Sequence, residues 1–212
     1  MADPKDLAKE VQRAAAVPDS AIRSVSEILG DPGVRAAGLT MAIAQVVMVM
    51  LMVITSLHMS HHNHALSSIA AVMSSHVFGM YAFSVVSGRG ADKWGRGPLI
   101  GTGAIVLVVA CLTATLSTDA APLALALFLL GLGWNFCYVG GSTLLSDCLS
   151  QGERARIQSV NDFVLTGLSG IGSALSGLVF SAVGYATMGY VSAGVSLVLV
   201  GLSRSVARRG TR

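Results

Sequence analysis

The chain has 212 residues, of which 53% are hydrophobic, 12% are charged and 24 are glycine, and its mean hydropathy is +0.68. Soluble domains carry about a quarter charged residues, so this composition excludes an ordinary soluble domain. The net charge of +3 does not indicate a nucleic-acid partner, because the charged residues are confined to a few short stretches.

Long stretches without charge give the first structural prediction. No Asp, Glu, Lys or Arg occurs in four runs, which are 36–88, 97–118, 120–146 and 163–203. A helix needs about 20 apolar residues to cross about 30 Å of hydrocarbon, so the runs have room for two, one, one and two helices. We predict an all-α membrane protein with six transmembrane helices at 36–57, 66–86, 98–116, 122–145, 161–183 and 186–202.

Residues 1–35 form a polar tail before the first predicted span. The tail mixes charges throughout and has no apolar core, so it does not resemble a secretory signal peptide. Its second half is predicted to contain a short amphipathic helix, capped by Asp19 and Ser20, with Ile22, Val25, Ile28 and Leu29 on its apolar side. The stretch from Gly30 to Gly33 is expected to end that helix.

The distribution of basic residues predicts the orientation of the six helices. With six spans, both tails and the second and fourth connections share one side, and that side holds all 14 lysines and arginines. The opposite connections, near 58–64, 117–121 and 184–185, hold none. Because Lys and Arg are retained on the cytoplasmic side during insertion, we predict a multi-pass plasma-membrane protein with both termini, including the basic tail 204–212, in the cytoplasm.

The second cytoplasmic-side connection, residues 88–97, reads GRGADKWGRG and is expected to be a tight turn. Its glycines permit positive φ, and an aspartate among three cations can cap a helix N-terminus. The spacing resembles the signature loop of the major facilitator superfamily, G-x-x-x-D-[RK]-x-G-[RK]-[RK], and is matched at Gly88, Asp92, Lys93, Gly95 and Arg96. Gly97 stands where the last basic residue would be.

The resemblance covers about residues 31–203 and implies one six-helix half of a twelve-helix bundle. The segment GLGWNF at 131–136 resembles the tenth helix of bacterial members, and DPGVR at 31–35 resembles the end of their central loop. We therefore assign the chain to helices seven to twelve. In this family the loop resembles a cytoplasmic gate, whose basic residues would pair here with Asp147. Glu153 is the weaker candidate, and simple solvation of Asp147 is the alternative.

Four residues inside the predicted spans are candidates for a substrate or proton pathway, namely His76, Trp134, Asn135 and Tyr138. An ionisable side chain near the middle of a membrane helix usually faces a cavity or a polar partner. His76 therefore either contacts substrate or relays protons, or it bonds a neighbouring helix as a neutral imidazole. Asn135 and Tyr138 are placed to line the same cavity, with Trp134 as a stacking surface.

The connection at 58–64 reads HMSHHNH and contains HxxHH, which resembles a histidine box of membrane desaturases. Those enzymes need several such boxes on the cytoplasmic side, whereas this chain has five histidines and the cluster faces the other side. A desaturase is therefore excluded. A surface zinc or copper site, a pH-sensitive loop and a plain turn are the alternatives, and we predict no metal and no cofactor.

These observations predict a secondary transporter, in which two six-helix bundles expose a central site to each side in turn. The expected partners are the lipid bilayer, a second six-helix half from a separate chain or a second copy, and an unidentified small solute, with proton coupling as one alternative. The competing interpretation is a non-transporting assembly or sensory subunit. The sequence lacks a nucleophile–base constellation and a Gly-Lys-Ser/Thr nucleotide loop, so we predict neither an enzyme nor an ATP-driven pump.

Overall fold

The structure is a computed structural model that describes residues 23–210, except for the side chains of 208–210. Within this range the chain is helical and contains no β-strand, so the predicted all-α membrane fold is confirmed. The helices in chain order are α1 (Val25–Gly30), α2 (Pro32–His61), α3 (Leu66–Tyr81), α4 (Ser84–Trp94), α5 (Arg96–Ala114), α6 (Ala120–Asp147) and α7 (Gln151–Gly210).

The last helix contains two passes of the chain. At Gly184 its backbone has φ 76° and ψ 171°, which breaks α7 into a first arm, 151–183, and a second arm, 185–210. Positive φ at this turn is accessible to glycine without the clash that a Cβ would cause. Between residues 23 and 210, five helical stretches are long and apolar enough to cross a membrane, and the break divides the longest of them into the two arms.

The short helix α1 begins at Ser24, which acts as its cap. The Glu27 N–H donates to the Ser24 hydroxyl at 3.3 Å, and the Ser24 N–H donates to the Glu27 carboxylate at 2.7 Å. This reciprocal capping box satisfies two helix-end donors. Asp19, Ser20 and Ile22, on which the expected start of a helix depends, lie outside the described residues.

A single residue, Asp31, separates α1 from α2. Its carboxylate accepts the N–H of Gly33 at 2.6 Å, and Pro32 occupies the first helical position, where a missing N–H costs little. The helix α2 thus begins four residues before the predicted span and continues to His61, at its far end. The stretch 30–33 ends one helix and starts the next.

Helix α6 lies in the middle of the bundle and packs against α2, α3 and α5. Glycines set its closest crossings. A Cβ on Gly103 of α5 would lie 2.8 Å from the carbonyl oxygen of Gly133, and a Cβ on Gly79 of α3 would overlap the carbonyl oxygen of Phe128. Small residues permit such close backbone approach between membrane helices.

All the basic residues whose side chains are described lie at one end of the bundle, which we call the basic end. They are Arg23, Arg35, Arg89, Lys93, Arg96, Arg154, Arg156 and Arg204. The opposite end, called the histidine end, carries the connection from α2 to α3 and the break in α7. There the Nε2 of His64 lies 2.8 Å from the carbonyl oxygen of Thr118, and the hydroxyl groups of Thr55 and Tyr185 are 2.9 Å apart.

Candidate functional site

Residues 88–97 are mostly helical, so the expected turn is shorter than predicted. Residues up to Trp94 belong to α4, and α5 starts at Arg96. Only Gly95 leaves the helical region, with φ 91° and ψ 164°. Gly88 and Gly90 lie inside α4: a Cβ on Gly90 would lie 3.3 Å from the Trp94 ring, whereas a Cβ on Gly88 would meet nothing within 4 Å. The helix therefore continues through two glycines despite their low helix propensity.

Asp92 lies in the last turn of α4, and its side chain is 77% exposed. The start of α5 has Gly95 as its cap residue and no side-chain cap, so Asp92 does not cap α5. The reason is position, because the reversal comes three residues after Asp92. The Arg96 Nη1 lies 3.7 Å from its carboxylate, and exposed pairs of this kind contribute little. Lys93 is exposed beside it.

Arg96 connects three helices at the basic end. Its Nε donates to the Asp147 carboxylate at 2.7 Å, its Nη2 approaches the second oxygen at 3.4 Å, and its Nη1 donates to the Ala91 carbonyl at 3.0 Å. The end of α4, the start of α5 and the end of α6 are thereby joined. A forked contact between guanidinium and carboxylate fixes orientation as well as distance.

Gly97, the departure from the family pattern, contacts the second arm of α7. A Cβ at Gly97 would lie 2.7 Å from the backbone nitrogen of Ala207. A basic side chain at this position would require the second arm to move away. The departure therefore follows from close packing of α5 against the end of α7.

Glu153, the weaker gate candidate, is engaged elsewhere. The Arg23 guanidinium donates to it twice, each time at 2.9 Å, and the backbone N–H groups of Arg23 and Ser150 donate at 3.1 and 2.9 Å. The Glu153 side chain is 2% exposed. Glu153 lies before the charge-free run 163–203. Its hydrogen bonds, chiefly from the Arg23 side chain, hold the pKa of the carboxyl group well below its usual range.

His76 is fully buried between α3 and α6. Its Nδ1 lies 2.9 Å from the Leu127 carbonyl oxygen, which can only accept, so Nδ1 carries the proton. Its Nε2 has no hydrogen-bond partner among the described residues. The imidazole thus bonds the neighbouring helix, at a place where Gly79 and Gly131 bring the two backbones together.

Asn135 is 3% exposed and joins α6 to the junction between α3 and α4. Its amide nitrogen donates to the Met80 carbonyl at 2.7 Å and to the Ser84 hydroxyl at 3.0 Å, and its oxygen accepts from the Ser87 hydroxyl. Met80 lies in the last turn of α3, where carbonyl groups lose their helical partners. The amide of Asn135 therefore satisfies a helix end that would otherwise be unpaired in the membrane.

Trp134 and Tyr138 form a stacked pair, with ring centroids 4.8 Å apart and planes inclined by 20°. The Trp134 Nε1 donates to the Gln45 side chain at 2.8 Å, and Gln45 donates to the Ser169 hydroxyl at 2.7 Å. This chain of polar contacts links α6, α2 and the first arm of α7. Gln45 was missed in the sequence reasoning, although an amide inside an apolar span is itself a signal.

The four predicted pathway residues therefore fall into two groups. His76 and Asn135 lie at the contact of α6 with α3 and α4, whereas Trp134 and Tyr138 contact α2 and lie toward the first arm of α7. Consecutive residues of a helix point about 100° apart, which places Trp134 and Asn135 on different faces. The structure does not bring all four side chains into one cavity.

The histidines at the end of α2 pack mainly against aromatic rings. His58 stacks on Tyr185 with centroids 4.1 Å apart and planes inclined by 6°, and His61 lies 5.7 Å from Phe180. Among residues 23–210, no three His, Cys, Asp or Glu side chains are grouped so that they could hold a metal ion. These contacts hold the connection against the break in α7.

Comparison with known proteins gives a consistent result. The model of the Major Facilitator Superfamily matches residues 37–210. The chain is 35% identical over 170 residues to YddS, an uncharacterized MFS-type transporter of Bacillus subtilis, a match that covers 79% of this chain and 39% of YddS. It is 32% identical over 203 residues to YdeG, another uncharacterized MFS-type transporter of that species, covering 93% of this chain and 47% of YdeG.

A third similar protein is the riboflavin transporter RfnT of Brucella anthropi, with 27% identity over 189 residues. This match covers 89% of the chain and 48% of RfnT. The chain therefore spans about half the length or less of the curated relatives it matches.

Proposed function

This chain belongs to the major facilitator superfamily, and we propose that it supplies one six-helix half of a secondary transporter for a small solute. The contact between Arg96 and Asp147, at 2.7 Å, carries the proposal. It joins the signature segment to the base of α6 in the pairing that the family resemblance implies. An enzyme activity is not part of the proposal, because the three similar proteins described are all named as transporters.

In the proposed mechanism, this bundle rocks against a second bundle and exposes a shared site to each side in turn. The paired Arg96 and Asp147 would hold the ends of α5 and α6 together while the basic end is closed. Residues 36–203 would form the moving bundle, with 1–35 and 204–212 as its tails. The second half would come from the same polypeptide, another chain or a second copy.

We place the solute on the face of α6 that carries Trp134 and Tyr138. Their stacked rings offer a flat apolar surface, and Tyr138 is only half-buried. Gln45 and Ser169 supply polar groups beside them. His76 and Asn135 would instead hold α3 on α6. A proton-relay role for His76 stays a prediction, to be tested by the pH profile of transport.

Solute transport by two halves can be tested in proteoliposomes. One preparation contains the chain alone, and a second contains the chain co-expressed with the first six helices of YdeG. Riboflavin is the first solute to test, because it is named in the relative RfnT, and a panel of cationic and aromatic dyes follows. We expect accumulation only where two halves are present, and its loss in Tyr138→Ala. A chain that assembles with the first half and moves no solute would favour the non-transporting subunit.

We propose that the protein spans the plasma membrane with both termini in the cytoplasm. A reporter that is active only in the cytoplasm, fused after Arg212, should be active, whereas the same reporter inserted at 60–64 should be silent. A second reporter that is active only outside should give the opposite pattern. Activity of the cytoplasmic reporter at 60–64 would reject this orientation.

A further inference from the structure

A cavity of about 950 Å³ opens at the basic end of the bundle. Its walls come from the start of α2, the turn between α4 and α5, the end of α6 and the end of the second arm of α7. Arg35 and Arg96 lie in these walls together with the apolar side chains of Leu39, Trp94 and Val206. Arg96 and Asp147, whose contact is proposed to close the basic end, form part of one wall, whereas the proposed solute face at Trp134 and Tyr138 lies outside this space.

The position of the cavity relative to the bilayer follows from the charge pattern. Arg35 immediately precedes the charge-free run 36–88, and Arg96 immediately precedes the run 97–118. Both guanidinium groups therefore belong where hydrocarbon gives way to headgroups. This is the depth of the lipid phosphates, and Trp94, 64% exposed, suits the same depth.

The charges in the wall differ in whether they already have partners. Asp147 is paired with Arg96, and the Asp31 carboxylate accepts the Gly33 N–H at 2.6 Å. Arg35 is exposed, and its guanidinium has no ion pair or hydrogen bond with any described residue. The cavity thus offers an uncommitted cation, while both of its carboxylates are engaged.

The apolar part of the wall distinguishes a lipid from a free anion. Leu39 is 52% exposed at the start of α2, and the half-buried Leu202 continues the apolar surface along the end of α7. A dissolved phosphate would leave these side chains facing water. An acyl chain would cover them at a gain of about 25 cal/mol per Å² of apolar surface.

We propose that this cavity binds an anionic phospholipid, with its phosphate on Arg35 and its acyl chain along Leu39, Trp94 and Leu202. Basic pockets between membrane helices are suited to such headgroups. The bound lipid would fill the space between the start of α2 and the end of α7. This site is independent of the proposed solute, and it would be present whether or not the chain transports.

Tryptophan fluorescence tests the proposal on the purified chain in detergent. The two tryptophans differ in place, since Trp94 borders the cavity and Trp134 is 8% exposed on α6. Phosphatidylglycerol with brominated acyl chains is titrated against phosphatidylcholine with the same chains. We expect phosphatidylglycerol to quench Trp94 at a concentration roughly fivefold lower than phosphatidylcholine needs, because one surface cation is worth about 1 kcal/mol toward an anionic lipid. The Trp94→Phe variant measures the remaining signal of Trp134.

Matched variants locate the preference in the cavity. Arg35→Gln should remove the preference for phosphatidylglycerol, and Arg35→Lys should keep most of it. Arg204→Gln removes an exposed cation at the same end that does not line the cavity, so it should keep the full preference. Melting temperatures of all variants are measured first, and only variants that melt like the wild type are compared.

Three results would overturn the proposal. The first is equal quenching by the two brominated lipids in the wild-type chain. The second is an equal effect of Arg35→Gln and Arg204→Gln, which would indicate diffuse attraction to the whole basic end. The third is relief of quenching by millimolar inorganic phosphate, which would assign the cavity to free anions.

Discussion

Two faces of α6 hold their neighbours in different ways. Toward α3, Gly79 and Gly131 let the backbones meet, and the side chains of His76 and Asn135 bond to backbone carbonyl groups. Toward α2 and the first arm of α7, the contacts at the same depth run from side chain to side chain through Gln45. The first face is a rigid joint, whereas the second can rearrange without moving a helix backbone. A solute site is expected on the second.

The largest expected difference between the faces comes from adding one methyl group. Gly79→Ala places a Cβ against the Phe128 carbonyl, which cannot shift without moving α6. Overpacking of this kind costs about 1–3 kcal/mol or more. Gly172→Ala, on the first arm, would meet only Val49 at 3.9 Å and should change stability by less than about 0.5 kcal/mol. Yield of monodisperse protein and melting temperature in detergent measure both. Equal tolerance would mean that α3 does not pack rigidly on α6.

A second comparison removes polar groups from each face. Asn135→Leu removes the amide contacts of the Met80 carbonyl and the Ser84 hydroxyl, and it leaves the Ser87 hydroxyl with its bond to the Phe83 carbonyl. Interhelical hydrogen bonds in membranes average about 0.6 kcal/mol, so we expect a loss of about 1–3 kcal/mol. Tyr138→Phe keeps the ring stack on Trp134 and should melt like the wild type. If Tyr138→Phe lowers stability more than Asn135→Leu does, the rigid contact lies on the face toward α2 and not on the face toward α3.

His76→Ala should lower stability less than Asn135→Leu does, because one bond to Leu127 is lost rather than three. The expected cost of the bond is about 0.6–2 kcal/mol. In an assembly with a second half, the pH profile of transport should be unchanged if His76 only joins the helices. A shifted profile at normal expression would place His76 in a proton pathway and break the distinction between the faces.

Much of the fold followed from the sequence because the bilayer imposes a length on every crossing. The charge-free runs predicted an all-α membrane bundle, and the resemblance to the major facilitator superfamily is confirmed. The break between α3 and α4 was not predicted, since Ala82 and Phe83 carry no turn signal and the junction depends on Asn135, far along the chain. The glycines of 88–97 suggested a longer turn than exists, because Gly88 and Gly90 lie inside α4 and, of the four, Gly95 alone adopts a positive φ.

A contact between two site residues could be predicted only where the family pattern includes both of them. The pairing of Arg96 with Asp147 could be anticipated from the family loop. In contrast, nothing local indicates that Glu153 bonds Arg23, which is 130 residues away in sequence. A lone Gln45 in an apolar span was visible, but its partners Trp134 and Ser169 are set by how α2, α6 and α7 pack.

At the basic end, charged contacts should matter less than the packing of α6. Arg96→Gln and Asp147→Asn form a double-mutant cycle, and their half-exposed pair should show a coupling of about 0.2–1 kcal/mol. Asp92→Asn should leave stability unchanged, because the Asp92 carboxylate is exposed and lies 3.7 Å from the Arg96 Nη1. In an assembled transporter we expect Asp92→Asn to reduce uptake more than Lys93→Arg, which keeps its charge. Equal uptake by these two variants would remove Asp92 from the gate.

A pH-dependent effect concerns Arg23 and Glu153, which fasten the segment before α1 to the start of α7. The folded pKa of Glu153 is depressed below its ordinary value of 4.5. Its ionised form therefore contributes stability fully above that pH, and the contribution is lost progressively as the pH falls below 4.5. The melting temperatures of the wild type and Glu153→Gln should differ at pH 7, and the difference should narrow as the pH falls below 4.5. Asp119→Asn, which changes an exposed carboxylate at the histidine end, is the control for general acid effects. A difference that already vanishes at pH 6 would show that the ion pair does not hold this segment.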